Sequence, residues 1–510
     1  MKKIAIAGVA ASGLLLSCNH DDFLSREPLG GYTASNFYET EIQITEAINP
    51  GYREVRDQFA QDIWVLGELR SDNTTFTFNP SDQGLAGRWQ TDLFVSGAAV
   101  DRASEVWNGS YTAISRMNLV LANIAEAEFS EEEIRGQREG EARFLRAFFY
   151  WQLTRNFGDV PILLEPEFDI ADLEALDREP VATVYEQAIE PDLRAAIDLL
   201  PAENDDADIG RATRGAAQML LAKAYFSFGN HDDAVEPRYA DAIPLLNDLI
   251  ASGTYRLLPD YRSVFAPDNG NNDEIIFAAQ FDVGAGQGAG FVNAFLPQGS
   301  GTDITESDDN NVGAAGGGNN RPTEDIIRAY FPDDPRFGAS VGVFVRSGDT
   351  LYYPRKFVFP PLPAAGTDID WPVFRYADAL LMRAEAIAET SAGDVPDEAL
   401  IDLNSVRVRV GLRPAFRGSA DSTLDIDSRE KFFDLLRRER RVELAFESHR
   451  WYDLVRYGIY VERMREHGEE QRAMGGYIDD FPNAFQDIPA LYPLPPVQVA
   501  TYGYRQNPGY

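Results

Sequence analysis

The sequence predicts a mainly all-α protein in which helix pairs stack into a superhelix, interrupted by one long loop-rich, partly β insertion. Three observations carry this. Apolar residues recur at steps of three and four through most of the chain. One segment repeats the spacing of a helix-turn-helix unit. The stretch from Thr254 to Trp371 is rich in Gly, Asn, Asp and Pro and loses the helical period. With 510 residues, 44% hydrophobic and 12% aromatic, the chain can bury a large core.

Met1 to Ser17 reads as an export signal. Lys2 and Lys3 precede an apolar run, Ile4 to Leu16, that is too short for the roughly 20 residues of a spanning helix. It ends in Leu15-Leu16-Ser17-Cys18, which resembles a bacterial lipobox. Cys18 is then the expected lipidation site, carrying acyl chains, palmitate among them, since stable anchoring needs more than one chain. Cys18 is also the only cysteine, so neither an intramolecular disulfide nor a cysteine zinc cluster can form. The Asn19-His20-Asp21-Asp22 that follows is similar to the acidic tags of surface-exposed lipoproteins.

Asp62 to Gly97 is loop-like and contains Asp72, Asn73, Arg88 and Trp89. The spacing of Trp107, Tyr111, Ile114, Asn118 and Leu121 predicts a helix over Ala103 to Ala125. A second helix, Ser130 to Phe157, is expected to open on a Ser130/Glu133 capping box. Its two adjacent apolar stripes predict a widely buried face. In Leu220 to Ala242, Ala222, Tyr225, Gly229 and Ala234 stand where a tetratricopeptide repeat places them: small Ala at the close approach, Tyr in the gap, Gly in the turn. Arg375–Glu389 with Glu398–Val410 is a looser copy, and Val181 to Leu200 belongs to another unit. One such unit cannot bury its own face, so the units must stack.

Within the insertion, Glu274–Phe281, Val341–Arg346 and Leu351–Tyr353 read as strands, and Gly-flanked Phe291 and Phe295 as loop aromatics. Glu430 to Gly458 holds no helix breaker before Gly458 and is expected to be one helix. Its Arg437-Arg438-Glu439-Arg440-Arg441 run and its Glu439, Glu443 and Glu447 face form a self-neutralising ladder of ion pairs. The C-terminus, YPLPPVQVATYGYRQNPGY, has too many prolines for a helix and is expected to wrap over the body.

Against 46 basic residues stand 82 acidic ones, a net charge of −36, which repels nucleic acid and anionic lipid at long range. Gly338-Ala339-Ser340-Val341-Gly342 has the letters of a nucleophile elbow but precedes strand and turn rather than helix. The four histidines are scattered and no phosphate loop exists. Asp303, Glu306, Asp308 and Asp309 supply oxygen ligands of the kind calcium takes but lack EF-hand spacing and read as a solvated loop; no cofactor is expected, and a structural calcium is an alternative that no motif supports.

RRERRVELAFESHRWYDLVRYG, the Trp-x-x-x-Tyr-x-x-Ile helix, FLRAFFYWQLTRNFGDVPIL, WPVFRYADALLMRAEA, LNSVRVRVGL and the proline-rich ending together resemble the SusD/RagB family of Bacteroidetes nutrient-binding outer-membrane lipoproteins. The resemblance implies one SusD-like domain over residues 18–510, with halves of about 19–230 and 372–510 around a ligand region of about 254–371. It implies a non-catalytic surface receptor, lipid-anchored in the outer membrane and facing outward. Such a receptor captures an oligosaccharide and loads a SusC-like TonB-dependent transporter. The acidic charge favours a neutral glycan. Sugar recognition needs aromatic faces beside polar groups. The expected contacts are therefore Asp72, Asn73, Arg88, Trp89, Phe291 and Phe295. A surface glycan hydrolase, or a peptide-binding or assembly scaffold of the same complex, is the alternative.

Overall fold

The computed structural model describes residues 37–77, 86–97, 100–166, 175–227, 236–307, 316–362, 366–475 and 477–510. Cys18, Gly229, Ala234, Asp308 and Asp309 lie outside them. Long helices build the body: α1 (Glu41–Gln61), the short α2 (Ala86–Asp92), α3 (Asp101–Asn123), α4 (Glu132–Phe157), α5 (Glu190–Leu199), α6 (Arg214–Ser227) and α7 (Tyr239–Ala251). The expected repeat pair is α6 with α7. Its Tyr225 is buried and donates its hydroxyl to Glu190 at the start of α5 at 2.7 Å, so this tyrosine joins neighbouring helix pairs.

The capping box expected at Ser130 does not form. Ser130 instead donates its hydroxyl to Glu41 at 2.7 Å, tying the entry of α4 to the start of α1. Thr40 and Gln43 form a capping box at α1. α4 buries nearly every residue of its second half, from Gly140 to Phe157, as its double stripe requires.

The insertion carries β1 (Thr74–Thr75), which precedes it in sequence, and its own β2 (Ile275–Ala279), helical turn α8 (Phe291–Phe295), β3 (Arg321–Pro322) and α9 (Glu324–Ala329). β4 (Val341–Arg346), β5 (Asp349–Pro354) and β6 (Trp371–Arg375) follow. All pairings are antiparallel two-stranded ribbons: β1 with β3, β2 with β6, and the hairpin β4–β5. Ser340, the nucleophile letter of the elbow-like motif, is fully buried at the end of a short helix that runs into β4.

Beyond β6 come α10 (Tyr376–Thr390), α11 (Asp397–Arg409), α12 (Arg429–Glu443), α13 (Arg450–Arg456), α14 (Tyr460–Met474) and α15 (Pro496–Tyr502). The last is a helix where the prolines argued against one: Pro496 sits at its first turn, where no N–H is needed. The single helix expected from Glu430 to Gly458 is broken. Phe446 and Ser448 adopt φ of 68° and 65°, and helix resumes only at Arg450. The cause is Glu68. Its carboxylate accepts the Phe446 N–H at 2.9 Å and the Ser448 N–H at 3.0 Å, replacing the helical acceptors those groups lose. Burial pushes this carboxyl up to about 7, against those donors and the Asn73 amide. The approach is close enough to require glycine beside it: a Cβ on Gly67 would lie 2.6 Å from the Ser448 carbonyl oxygen. Gly67→Ala is expected to destabilise the protein by about 1–3 kcal/mol, the cost of an overpacked interior. An unchanged denaturation midpoint would show that the contact relaxes freely.

Of the expected ladder of intrahelical and interhelical ion pairs, it is the pairs to other segments that form at Arg440 and Glu443. Arg440 lies one turn before Glu443 but pairs with Asp378 and Asp453 on other helices, at 2.8 and 3.3 Å. Glu443 is met instead by Arg336, Arg375 and Arg409, at 2.8, 2.8 and 2.5 Å. Buried charges need every lone pair filled, and arginines from separate segments fill them from more directions than one helix can supply.

Candidate ligand-binding surface

The two loop-like regions form one structure. Thr74 pairs with Pro322 and Thr75 with Arg321. The Thr323 hydroxyl and N–H donate to the Asp72 and Asn73 carbonyls at 2.8 and 3.0 Å. Asp92 then pins α2 to this seam. One of its oxygens accepts the Thr75 hydroxyl, the Phe76 N–H and the Tyr477 hydroxyl, each at 3.0 Å. Burial pushes the Asp92 carboxyl up to about 6, against the pull of those donors.

The expected contact residues are brought near one another but at different depths. Arg88 and Trp89 are half-buried on α2. The Arg88 guanidinium sits 5.0 Å from the Trp64 ring centroid and donates to the Asn319 side-chain oxygen at 3.4 Å. Trp89 packs on Phe481 at 4.7 Å, the rings inclined by 41°. Asp72 is fully buried, with its carboxylate gripped bidentately by Arg450 at 2.7 and 2.8 Å. Burial pushes its carboxyl up, and Arg441, Arg450 and Arg463 outweigh that and hold it well below the usual range. Asn73 is 1% exposed and bridges Glu68 and Arg441, at 2.9 and 2.8 Å.

Phe291 and Phe295, one helical turn apart on α8, both face inward. Phe291 packs edge-on to Trp371 at 4.8 Å and Phe295 to Trp64 at 5.3 Å. A column of contacts thus runs from Arg88 through Trp64, Phe295 and Phe291 to Trp371. In this arrangement Asp72, Asn73, Phe291 and Phe295 set the positions of Arg88 and Trp89, and only the latter two reach the surface.

Sequence reasoning missed Tyr477 and Phe481. Both are half-buried, 6.4 Å apart, and continue the face begun by Trp89. Their stretch, YIDDFPNAF, has the aromatic-in-polar-loop character that singled out the other two regions. Trp89, Phe481 and Tyr477 therefore form an aromatic ridge, with Arg88 and Asn319 linked to it through α2. Such a surface offers π-faces to the apolar side of a sugar ring and donors to its hydroxyls. A separate cavity of about 520 Å³ lies between α3 and α15, lined by Trp107, Tyr111 and Tyr502 among others, and contains none of the loop residues. Among the described residues no group of three or more His, Cys, Asp or Glu could hold a metal ion. No helix there is long and apolar enough to cross a membrane.

Comparison with known proteins agrees across the chain. A family model described as the SusD family matches residues 340–510. Another, described as starch-binding and associating with the outer membrane, matches residues 29–226. A SusD-like protein of Formosa agariphila is 26% identical over 543 residues, spanning 100% of both chains. The starch-binding protein SusD of Bacteroides thetaiotaomicron is 24% identical, covering 95% of this chain and 96% of its own. A solved laminarin-binding SusD-like protein superposes with a TM-score of 0.73 at 25% identity, covering 93% of this chain and 100% of its own. The helical body, the β-containing insertion and these matches lead to one conclusion: the chain belongs to the SusD/RagB family.

Proposed function

We propose that the protein is a non-catalytic receptor that captures a neutral oligosaccharide at the cell surface and delivers it to a SusC-like TonB-dependent transporter. The observation that carries this is the half-exposed ridge of Trp89, Phe481 and Tyr477 on loops pinned by Asp92 and the β1–β3 seam. A preorganised aromatic face lowers the ordering cost of binding. Two relatives are named for starch and for laminarin, both uncharged glucans, which supports the neutral reading. Cys18, acylated after removal of residues 1–17, would tether the receptor to the outer membrane with the ridge outward.

A stacking contact contributes roughly 0.5–1.5 kcal/mol beyond the area it buries. Trp89→Ala is therefore expected to weaken binding of the preferred glucan about tenfold, with the protein still folded. Calorimetric titration with starch and laminarin oligosaccharides checks it. Equal affinity would remove Trp89 as a contact. The same incubations are expected to release no reducing ends, and their release would overturn the non-catalytic reading.

A further inference from the structure

The arginine run of α12 is neutralised unevenly. Arg440 is balanced by Asp378 and Asp453. Arg437 and Arg438 are not: among the described residues neither makes an ion pair with a carboxylate. The Arg437 guanidinium lies over the Tyr457 ring at 4.7 Å, and its buried Nε has no hydrogen-bond acceptor among the described residues. Arg438 donates only to the backbone carbonyls of Ala329 and Tyr330, at 2.7 and 3.1 Å.

These two side chains open into a pocket of about 280 Å³ between α9, α12 and the α13–α14 junction, which Arg328, Arg441 and Arg450 also line. Asp325 is the one acidic residue among the described residues of the lining. The surrounding carboxylates are shared. Asp72 serves Arg441, Arg450 and Arg463, and Asp325 serves Arg441 and Arg463. Glu470 and Glu466 pair with Arg328 and Arg463 at the rim. Six arginines thus face four carboxylates, leaving an excess of two positive charges. Burial lowers the Arg441 guanidinium below its ordinary value, and neighbouring Arg450 adds to that against the pull of Asp72. A concentrated cationic pocket on a chain of net charge −36 is out of keeping with its surroundings. Unlike the neutral ridge, it presents guanidinium charge and N–H donors to which a carboxylate or sulfate is the complementary acceptor.

We propose that this pocket binds an oxyanion, a carboxylate or sulfate group carried on an acidic sugar that is separate from the neutral oligosaccharide of the ridge. The choice of a sugar as carrier rests on the receptor reading above; the oxyanion specificity does not.

The test titrates the intact soluble protein at low ionic strength with sodium glucuronate, sodium sulfate and glucose. Glucuronate is expected to bind, more tightly than inorganic sulfate, with glucose silent at the same concentrations. Arg437→Gln and Arg438→Gln are each expected to weaken glucuronate binding at least tenfold and leave binding of the neutral glucan unchanged. Arg328→Gln, at a side chain 60% exposed, guards against misfolding as the cause and is expected to weaken it severalfold. Raising salt should weaken glucuronate but not glucan binding. No binding of glucuronate, or binding that survives both α12 substitutions, overturns the pocket. Sulfate binding as tightly as glucuronate overturns the sugar as carrier. Failure of the ridge would appear separately, as glucan affinity indifferent to Trp89→Ala.

Discussion

Glu443→Gln is expected to lower stability by about 3–5 kcal/mol, the usual cost of removing one partner from a buried ion network. Five cations, Arg336, Lys356, Arg375, Arg407 and Arg409, face five carboxylates, Glu274, Asp334, Glu439, Glu443 and Glu447, and no side chain among them is more than 3% exposed. The network is therefore neutral, and the acidity of the chain resides elsewhere. Glu443 is its hub. Burial alone would push its carboxyl up, but Arg409, Arg375 and Arg336 reverse this and hold it well below the usual range. Its backbone carbonyl also accepts from Tyr261, Lys356 and Arg375, at 2.8, 3.1 and 2.8 Å, which completes the C-terminus of α12. The amide keeps the shape but strands one positive charge in the interior. Adding Arg409→Met removes that excess, so the double variant should cost less than the sum of the two singles. Denaturant midpoints of the four proteins decide it. Strict additivity, or a midpoint unmoved by Glu443→Gln, would sink the claim that this residue holds the scaffold together.

What was legible in the sequence follows from the range of the causes. Helices α3, α4, α6 and α10 announced themselves because each buries a periodic face, and periodicity is local. The strand β2 was visible as a fragment, but its partner β6 lies about a hundred residues on, with Ile275 opposite Arg375. The break in the Glu430–Gly458 helix was invisible for the same reason. The residue that causes it, Glu68, is 378 positions from Phe446. The ligand surface was half legible. An aromatic in a Gly- or Asn-rich stretch marks a loop that meets something, but its sequence does not say on which side. Trp89 reaches the surface, whereas Phe291 and Phe295 share one inward face of α8 because they are four residues apart. Arg437 and Arg438 differ from Arg440 only in direction around α12, which alternating charge in the sequence conceals.

A large pH effect should come from His467, acting with the same sign as buried His449, whose pKa burial lowers to about 3. The His467 side chain is 2% exposed, lies edge-on to Phe485 at 5.5 Å, and among the described residues neither ring nitrogen has a hydrogen-bond partner. Burial lowers its pKa to about 4, Asp72 and Asp325 pulling the other way and Arg441 and Arg463 adding to the drop. The folded state thus keeps the imidazole neutral where the unfolded chain, titrating near 6.5, takes a proton. The unfolded state binds more protons between those values, so this group's contribution to stability falls as pH drops from about 6.5 to 4. At pH 5 the loss is about 2 kcal/mol relative to pH 8. Asp62 and Glu68, raised by burial to about 7, act with the opposite sign. The folded state protonates them first, and they return stability over the same interval. The wild-type curve is consequently flattened and does not isolate the histidine. His467→Leu does: it fills similar space, leaves no unpaired nitrogen, and removes one term from an otherwise unchanged sum. The variant is expected to gain about 2 kcal/mol more over wild type at pH 5 than at pH 8, read from urea midpoints at both values. An equal difference at the two pH values would mean that His467 titrates normally in the folded protein, and that its cavity admits water to both nitrogens.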